Sequence, residues 1–287
     1  MIKKSVIPAA GFGTRMLPAA KSVPKEMLPV LDRPTIQYVV EESAAAGATD
    51  VLLVVSREKK AIEDHFDHLP ELESRLASSG KDEFLRSVTE IMKQVQVHSV
   101  RQRQQLGLGH AVLQAKAHVG SDSFLCLLGD TIFSGAAVTP TEQLVTMHKR
   151  FGGSIIGLER VPRDRISRYG VVGGDLIDAT TIRIHTLVEK PSPQEAPSDL
   201  AIAARYLFSP SIFDCIERTG RGAGGEIQLT DAIKLLARDE PVHGVILESS
   251  RHDIGNPTDW LLTNLAFARR DNAMWQKLRP LLESLLK

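Results

Sequence analysis

Short apolar runs alternate along this chain with longer amphipathic stretches, the pattern of buried parallel strands joined by crossover helices. The spacing predicts strands at residues 5–9, 51–56, 95–100 and 124–128. Between them it predicts helices at 35–46, 59–66 and 109–117, with a broken helical region over 71–93. The charged stretch 58–94 reads as a helical insertion between the second and third strands. Beyond Asp130 the pattern becomes mixed, with a helix at 142–150 and extended segments at 154–159, 170–172 and 182–189. Such a change marks antiparallel strands added to an α/β core. A strand at 201–208, helices at 210–218 and 228–237, and a last strand at 242–248 follow. Residues 258–287 read as helical, broken by Pro280, and their leucines, Leu261, Leu262, Leu265, Leu278, Leu281, Leu282 and Leu285, are expected to cover the core rather than a partner subunit.

Composition narrows the classes. At 287 residues the chain is expected to form one elaborated α/β domain, residues 1–256, with 257–287 as a helical extension of it. Lysine plus arginine equals aspartate plus glutamate at 35 each, so no global field draws nucleic acid or an anionic membrane, and any anion site must be local. Only two cysteines occur, Cys126 in an apolar run and Cys215 in a helical pattern, without metal-binding or disulfide spacing. A reducing cytoplasm is the expected setting. The opening residues pass into Pro8 too soon for a signal peptide, and no run approaches the roughly twenty apolar residues of a membrane span.

The candidate chemistry begins where the first strand empties into Ala10-Gly11-Phe12-Gly13-Thr14-Arg15, followed by Lys25-Glu26. Glycines let backbone approach an anion, and Arg15 and Lys25 add full positive charges, the two kinds of donor a bent triphosphate needs. Met16 stands where a dinucleotide fingerprint wants a third glycine, and Gly13-Thr14-Arg15 lacks the Gly-Lys-Ser/Thr of an NTPase P-loop. An ordinary strand-to-loop turn accounts for the same residues equally well.

Asp130 ends a fully apolar strand at the edge where α/β sheets collect ligands, so it suits magnesium held together with substrate phosphates; a helix cap or turn is the alternative. Asp253 offers a second acid between the last strand and a helix. Gln102, with Gly107-Leu108-Gly109-His110, forms another corner. Its amide can donate and accept at once toward a uracil or thymine edge, with the glycines letting the base lie flat, while His110 reads as a capping or packing residue. Glu189-Lys190-Pro191 ends a strand with one charge facing the site unless the strand stops there, and a surface ion pair is the plainer reading. Tyr169-Gly170 reads as a turn, and the block 223–231 as a helix start.

Together these blocks resemble the sugar-1-phosphate nucleotidyltransferases over nearly the whole length. The resemblance rests on Gly11 to Arg15, Pro24 to Pro29, Gln37-Tyr38, Arg101-Gln102, Gly107 to Ala111, Tyr169 to Val172, Glu189 to Pro191, Arg205-Tyr206 and Glu226 to Ile233, all in the family's order. The chain departs from the family pattern at Phe12, Leu106 and 257–260. The resemblance implies a Rossmann-like, mixed but mostly parallel α/β sheet flanked by helices, and uridylyl transfer from UTP to glucose 1-phosphate, giving UDP-glucose and pyrophosphate. It also implies a role for each site residue. Ala10, Gly11, Glu26, Gln102 and Gly107 would hold uracil, and Arg15 and Lys25 the phosphates. Asp130, with Asp253, would hold magnesium; Gly170 and Glu189 would bind glucose, and Lys190 its phosphate. A homo-oligomer, dimer or tetramer, is expected on the same ground. The alternatives are a thymidylyltransferase, disfavoured by Glu26 and the 58–94 insertion, and a non-catalytic nucleotide-sugar-binding homologue, disfavoured by the presence of every charged position. A glycosyltransferase is disfavoured because Asp130-Thr131-Ile132 lacks an Asp-Xaa-Asp motif.

Overall fold

Thirteen strands carry the architecture of the computed structural model, which describes residues 2–285; residues 1, 286 and 287, the last two of them in the expected terminal helix, lie outside it. They are β1 Lys4–Pro8, β2 Pro29–Val30, β3 Arg33–Pro34, β4 Asp50–Val55, β5 Gln96–Arg101, β6 Phe124–Leu127 and β7 Thr131–Ser134. The remainder are β8 Ser154–Arg160, β9 Gly170–Leu176, β10 Thr181–Glu189, β11 Leu200–Phe208, β12 Val242–Ile246 and β13 Ser250–Asp253. A mixed nine-stranded sheet runs in the order β5-β4-β1-β6-β11-β8-β12-β10-β9. Its β5-β4-β1-β6 side is parallel, and β11 joins β6 antiparallel.

The central parallel strands β1, β4 and β6 are apolar and buried because helices cover both faces, whereas the edge strand β5 is largely polar and exposed. Val6, Leu52, Phe124 and Cys126 point into one layer with Ile212, Phe213, Ile233 and Leu236, from helices Ser211–Arg218 and Leu229–Asp239. Their alternates Ile7, Leu53, Leu125 and Leu127 point into the other, with Ile36, Val39 and Leu144 from helices Thr35–Ala45 and Pro140–Phe151. The expected insertion is helical, as Lys60–His65, Pro70–Ser78 and Asp82–Gln94.

Three details differ from the sequence expectation. The last strand is followed by a ribbon in which β13 pairs with β7 and Asp253 lies opposite Thr131, so Asp253 belongs to a strand that local pattern did not reveal. The C-terminal break falls at 269–271, and Pro280 sits inside helix Asn272–Leu285. That helix has no buried residue, so the carbonyl left unbonded by proline faces water and the helix continues. Leu261, Leu262, Leu281 and Leu285 are exposed; Thr263 and Ala268 are buried in their place, and Phe267 packs against the core.

Strand β11 carries the main irregularity of the sheet. Its register against β8 shifts between Ile202 and Tyr206, and Ala204 takes φ 61°, the left-handed region that L side chains rarely adopt. The Ala204 carbonyl thereby accepts the Leu128 N–H at 3.2 Å. Arg205, wholly buried, forms a bidentate pair with Glu42 at 3.0 and 2.8 Å, stacks its guanidinium 4.7 Å from the Phe133 ring centroid, and donates to the Thr131 carbonyl at 2.7 Å. The bulge and this buried cation fix the loop that carries Asp130.

Gly107 and Gly109 exist for close packing. Gly107 has φ 102°, and a Cβ there would lie 2.8 Å from Glu226 Cβ. A Cβ at Gly109 would lie 2.8 Å from the Ile227 carbonyl, which itself accepts the Gly109 N–H at 2.9 Å. Gly109→Ala is therefore expected to lower stability by about 1–3 kcal/mol through overpacking. Urea unfolding measures it, and an unchanged midpoint would contradict the packing role.

Candidate active site

The C-terminal ends of the parallel strands deliver the candidate residues to one edge of the sheet, as open α/β topology requires. After β1 come Ala9, Ala10 and Gly11, after β5 Gln102, and after β6 Leu128 and Asp130. Two cavities open there. One, of about 400 Å³, is lined by Ala10, Gly11, Lys25, Glu26, Gln102 and Gly107, among others. The second, of about 590 Å³, is lined by Arg15, Gly170, Glu189, Lys190, Arg251 and Asp253, among others. Leu128 and Asp130 line both. The sequence-predicted residues thus divide into two groups that meet at one carboxylate.

Gly13 is left-handed, at φ 67°, and starts the single helical turn Thr14–Met16 that turns the chain toward the second cavity. Arg15 reaches the 253–256 turn, where a Cβ on Gly255 would meet its Nη2 at 2.5 Å. The next turn, Lys25–Met27, is fastened by two ion pairs in succession. Lys25 Nζ contacts Asp130 Oδ2, and Glu26 Oε2 accepts from Lys59 Nζ at 2.6 Å, with both of the latter side chains almost wholly buried. Burial lowers the Lys25 pKa, but Asp130, Glu26 and Asp253 outweigh it and hold the ammonium above its ordinary value. Burial likewise pushes Asp130 up, yet Lys25 and Arg15 bring it below the usual aspartate range. At Glu26 burial wins, raising the carboxyl against the pull of Lys59 and Lys25.

Gln102 is held from its own side of the pocket. Its Nε2 donates to the Gly107 carbonyl at 3.1 Å and meets His110 Nδ1 at 3.0 Å. The donor half of the amide is therefore engaged within the protein, leaving Oε1 as the atom to accept from a ligand, where the sequence suggested both halves. His110 is a support for Gln102. Gln105 ties the two loops by donating to the Ala10 carbonyl at 2.9 Å.

In the second cavity Gly170 and Glu189 face each other across β9 and β10. Thr230 Oγ1 donates to Glu189 Oε2 at 2.6 Å, and a Cβ on Gly170 would stand 3.2 Å from that same oxygen. The strand stops at Glu189, and Lys190 turns to φ 48°, so both charges line one cavity. Their Nζ–Oε1 distance is 3.4 Å. Asp130 and Asp253 lie on adjacent strand ends, the Ile254 N–H bonding the Asp130 carbonyl at 3.1 Å. Two hard carboxylates in one cavity fit magnesium, which takes one or two protein carboxylates and completes its shell with water and phosphate oxygens. Among the described residues no group of three or more metal-ligating side chains exists.

Sequence reasoning missed Lys59, Gln105, Arg168, Tyr206, Arg251, Asn256 and Asp259, all of which line a cavity or hold a residue that does. Arg251 and Asn256 lie within three residues of Asp253, which was the available signal; Lys59 had none. Among the described residues no helix is long and apolar enough to cross a membrane.

The nucleotidyl transferase family model matches residues 4–270. The chain is 44% identical over 286 residues to the UTP–glucose-1-phosphate uridylyltransferase of Bacillus subtilis (strain 168), covering 99% of this chain and 97% of that one. Among solved structures, the UTP-bound UGPase from Acinetobacter baumannii superposes with a TM-score of 0.91 at 37% identity, covering 99% of this chain and all of that one. A UDP-glucose pyrophosphorylase complexed with UDP-glucose superposes with a TM-score of 0.87 at 35% identity, covering 94% and 100%.

Removing Lys59 strands a buried carboxylate. Lys59→Met is expected to cost about 3–5 kcal/mol, and adding Glu26→Gln to return most of it. Chemical unfolding of both variants checks this, and a double variant no more stable than the single one would show that the pair does not hold the loop.

Proposed function

Given that the chain belongs to the nucleotidyl transferase family, we propose that it transfers the uridylyl group of UTP to α-D-glucose 1-phosphate. The observation that carries this reading is the junction at Asp130 of a nucleotide-sized cavity behind the glycine loop and a second cavity rimmed by Gly170, Glu189 and Lys190.

Uracil enters the first cavity against Ala10, Gly11 and Gly107, and Gln102 Oε1 accepts its imide N–H. Cytosine has no hydrogen at that ring nitrogen, so the same oxygen would face a lone pair. Glu26, gripped by Lys59, keeps the floor of this cavity in place. Glucose lies against Gly170 and Glu189, and its phosphate is held by Lys190. A phosphate oxygen of the sugar attacks the α-phosphorus in line, a new phosphorus–oxygen bond forms, and the bond to the β-phosphate oxygen breaks with release of pyrophosphate. The attacking oxygen is already anionic, so no general base is needed. The difficulty is the repulsion of two polyanions, and Arg15, Lys25 and Lys190 offset it by holding both reactants with preset positive charge. Magnesium, bound by Asp130 with Asp253, would add charge neutralisation on the phosphate oxygens.

A cytoplasmic setting belongs to the same proposal, supported by two free, buried cysteines. A homo-oligomer is supported by the exposed leucines of the last two helices.

Pyrophosphate release on mixing UTP, glucose 1-phosphate and magnesium tests the reading. UTP is expected to outrun CTP and dTTP, and faster turnover with dTTP would replace uridylyl by thymidylyl transfer. Lys190→Ala is expected to raise KM for glucose 1-phosphate about ten- to hundredfold with KM for UTP little changed. Normal turnover at low glucose 1-phosphate would remove Lys190 from that role.

A further inference from the structure

The two walls of the larger cavity come from segments far apart in sequence, and one side chain joins them. On one side stand the paired start of β9 and end of β10, with Tyr169, Gly170, Glu189 and Lys190, and on the other β13 with Asp253 at its end. Arg251, two residues before Asp253, is nearly buried, with 11% of its side chain exposed. Its Nε donates to Glu159 Oε1 at 2.5 Å, at the end of β8, and its guanidinium carbon lies 4.7 Å from the Tyr169 ring centroid. The Tyr169 carbonyl in turn accepts the Lys190 N–H at 3.0 Å.

Arg251 is thus matched by a carboxylate and covered by a ring, whereas Lys190, 3.4 Å from Glu189 Oε1, keeps 60% of its side chain exposed. Its Nε is committed to the wall. Arginine suits this position because its Nε donates to Glu159 while the flat face of the guanidinium stacks on Tyr169; a lysine would keep the charge and lose the planar stack.

We propose that Arg251 is a positioning residue for the sugar-phosphate acceptor: by clamping Glu159 and Tyr169 together it sets the distance between the Gly170–Lys190 wall and the Asp130–Asp253 wall. The identity of the acceptor rests on the function proposed above, whereas the clamp itself rests on geometry alone. Tyr169 acts by presenting its ring to the guanidinium and its carbonyl to Lys190, so the two residues form one device.

Arg251→Lys and Tyr169→Leu, each assayed beside wild type, test the clamp. Each is expected to raise KM for glucose 1-phosphate about ten- to hundredfold, the scale of a small misplacement of reacting groups, with KM for UTP within about twofold. The double variant is expected to be no worse than the more impaired single one. Amide hydrogen exchange provides a second readout independent of turnover: the Lys190 N–H should exchange faster in both variants, while the Ile227 N–H, bonded to the Leu106 carbonyl beside the other cavity, keeps its rate. Unchanged exchange at Lys190, equal rises in both KM values, or effects that multiply in the double variant would each overturn the proposal. Should wild type fail to make UDP-glucose, the functional reading falls and the exchange data still decide the clamp.

Discussion

The site depends on the contact of the Lys25 ammonium with the Asp130 carboxylate at the seam between the cavities, the place where the proposed function would bring two repelling polyanions together. The contact has two consequences. It keeps Asp130 ionised in a buried place, since Lys25 and Arg15 outweigh the cost of desolvation. It also holds a cation at the seam where, on the proposed function, the phosphates of nucleotide and acceptor would approach.

The pair works only if both loops are fixed, and each is fixed by a buried charge of its own. Lys59 under Glu26 anchors the turn that carries Lys25, and Arg205 with Glu42 anchors the Thr131 carbonyl next to Asp130. Buried ion pairs of this kind contribute modest net stability, because desolvation cancels much of the attraction, yet they penalise every arrangement that leaves one partner alone. Their value here lies in position. The left-handed Ala204 and the packed glycines at 107 and 109 do the same with backbone, trading local ease for a close approach that sets the cavity shape.

The chain's own segments show how far local pattern reaches. The parallel strands were legible within a residue or two; for β1, β4 and β6 this is because strands covered on both faces must be largely apolar, while β5 at the sheet edge is mostly polar. The site residues named from Gly11, Lys25, Gln102, Asp130, Glu189 and Lys190 do line two adjoining cavities. The β7–β13 ribbon was not legible: its residues, such as Arg251, His252 and Asp253, are polar, and their strand character comes only from pairing with a segment more than a hundred residues away. Pro280 misled for the opposite reason, since an exposed helix lets water take the carbonyl that proline leaves unbonded.

By itself the sequence determined the strands of the main sheet and the helices that cover them, where the chain turns through glycine, and which residue types stand at the strand ends. These follow from side-chain sterics and from the apolar surface each element must bury. Only the tertiary structure decided that Lys59 lies beneath Glu26, that Gln102 spends its donor on Gly107 and His110, and that Arg251 clasps Glu159 and Tyr169. Such pairings depend on the order of strands in the sheet and the closure of loops between them, and no residue carries that information in its neighbours along the chain.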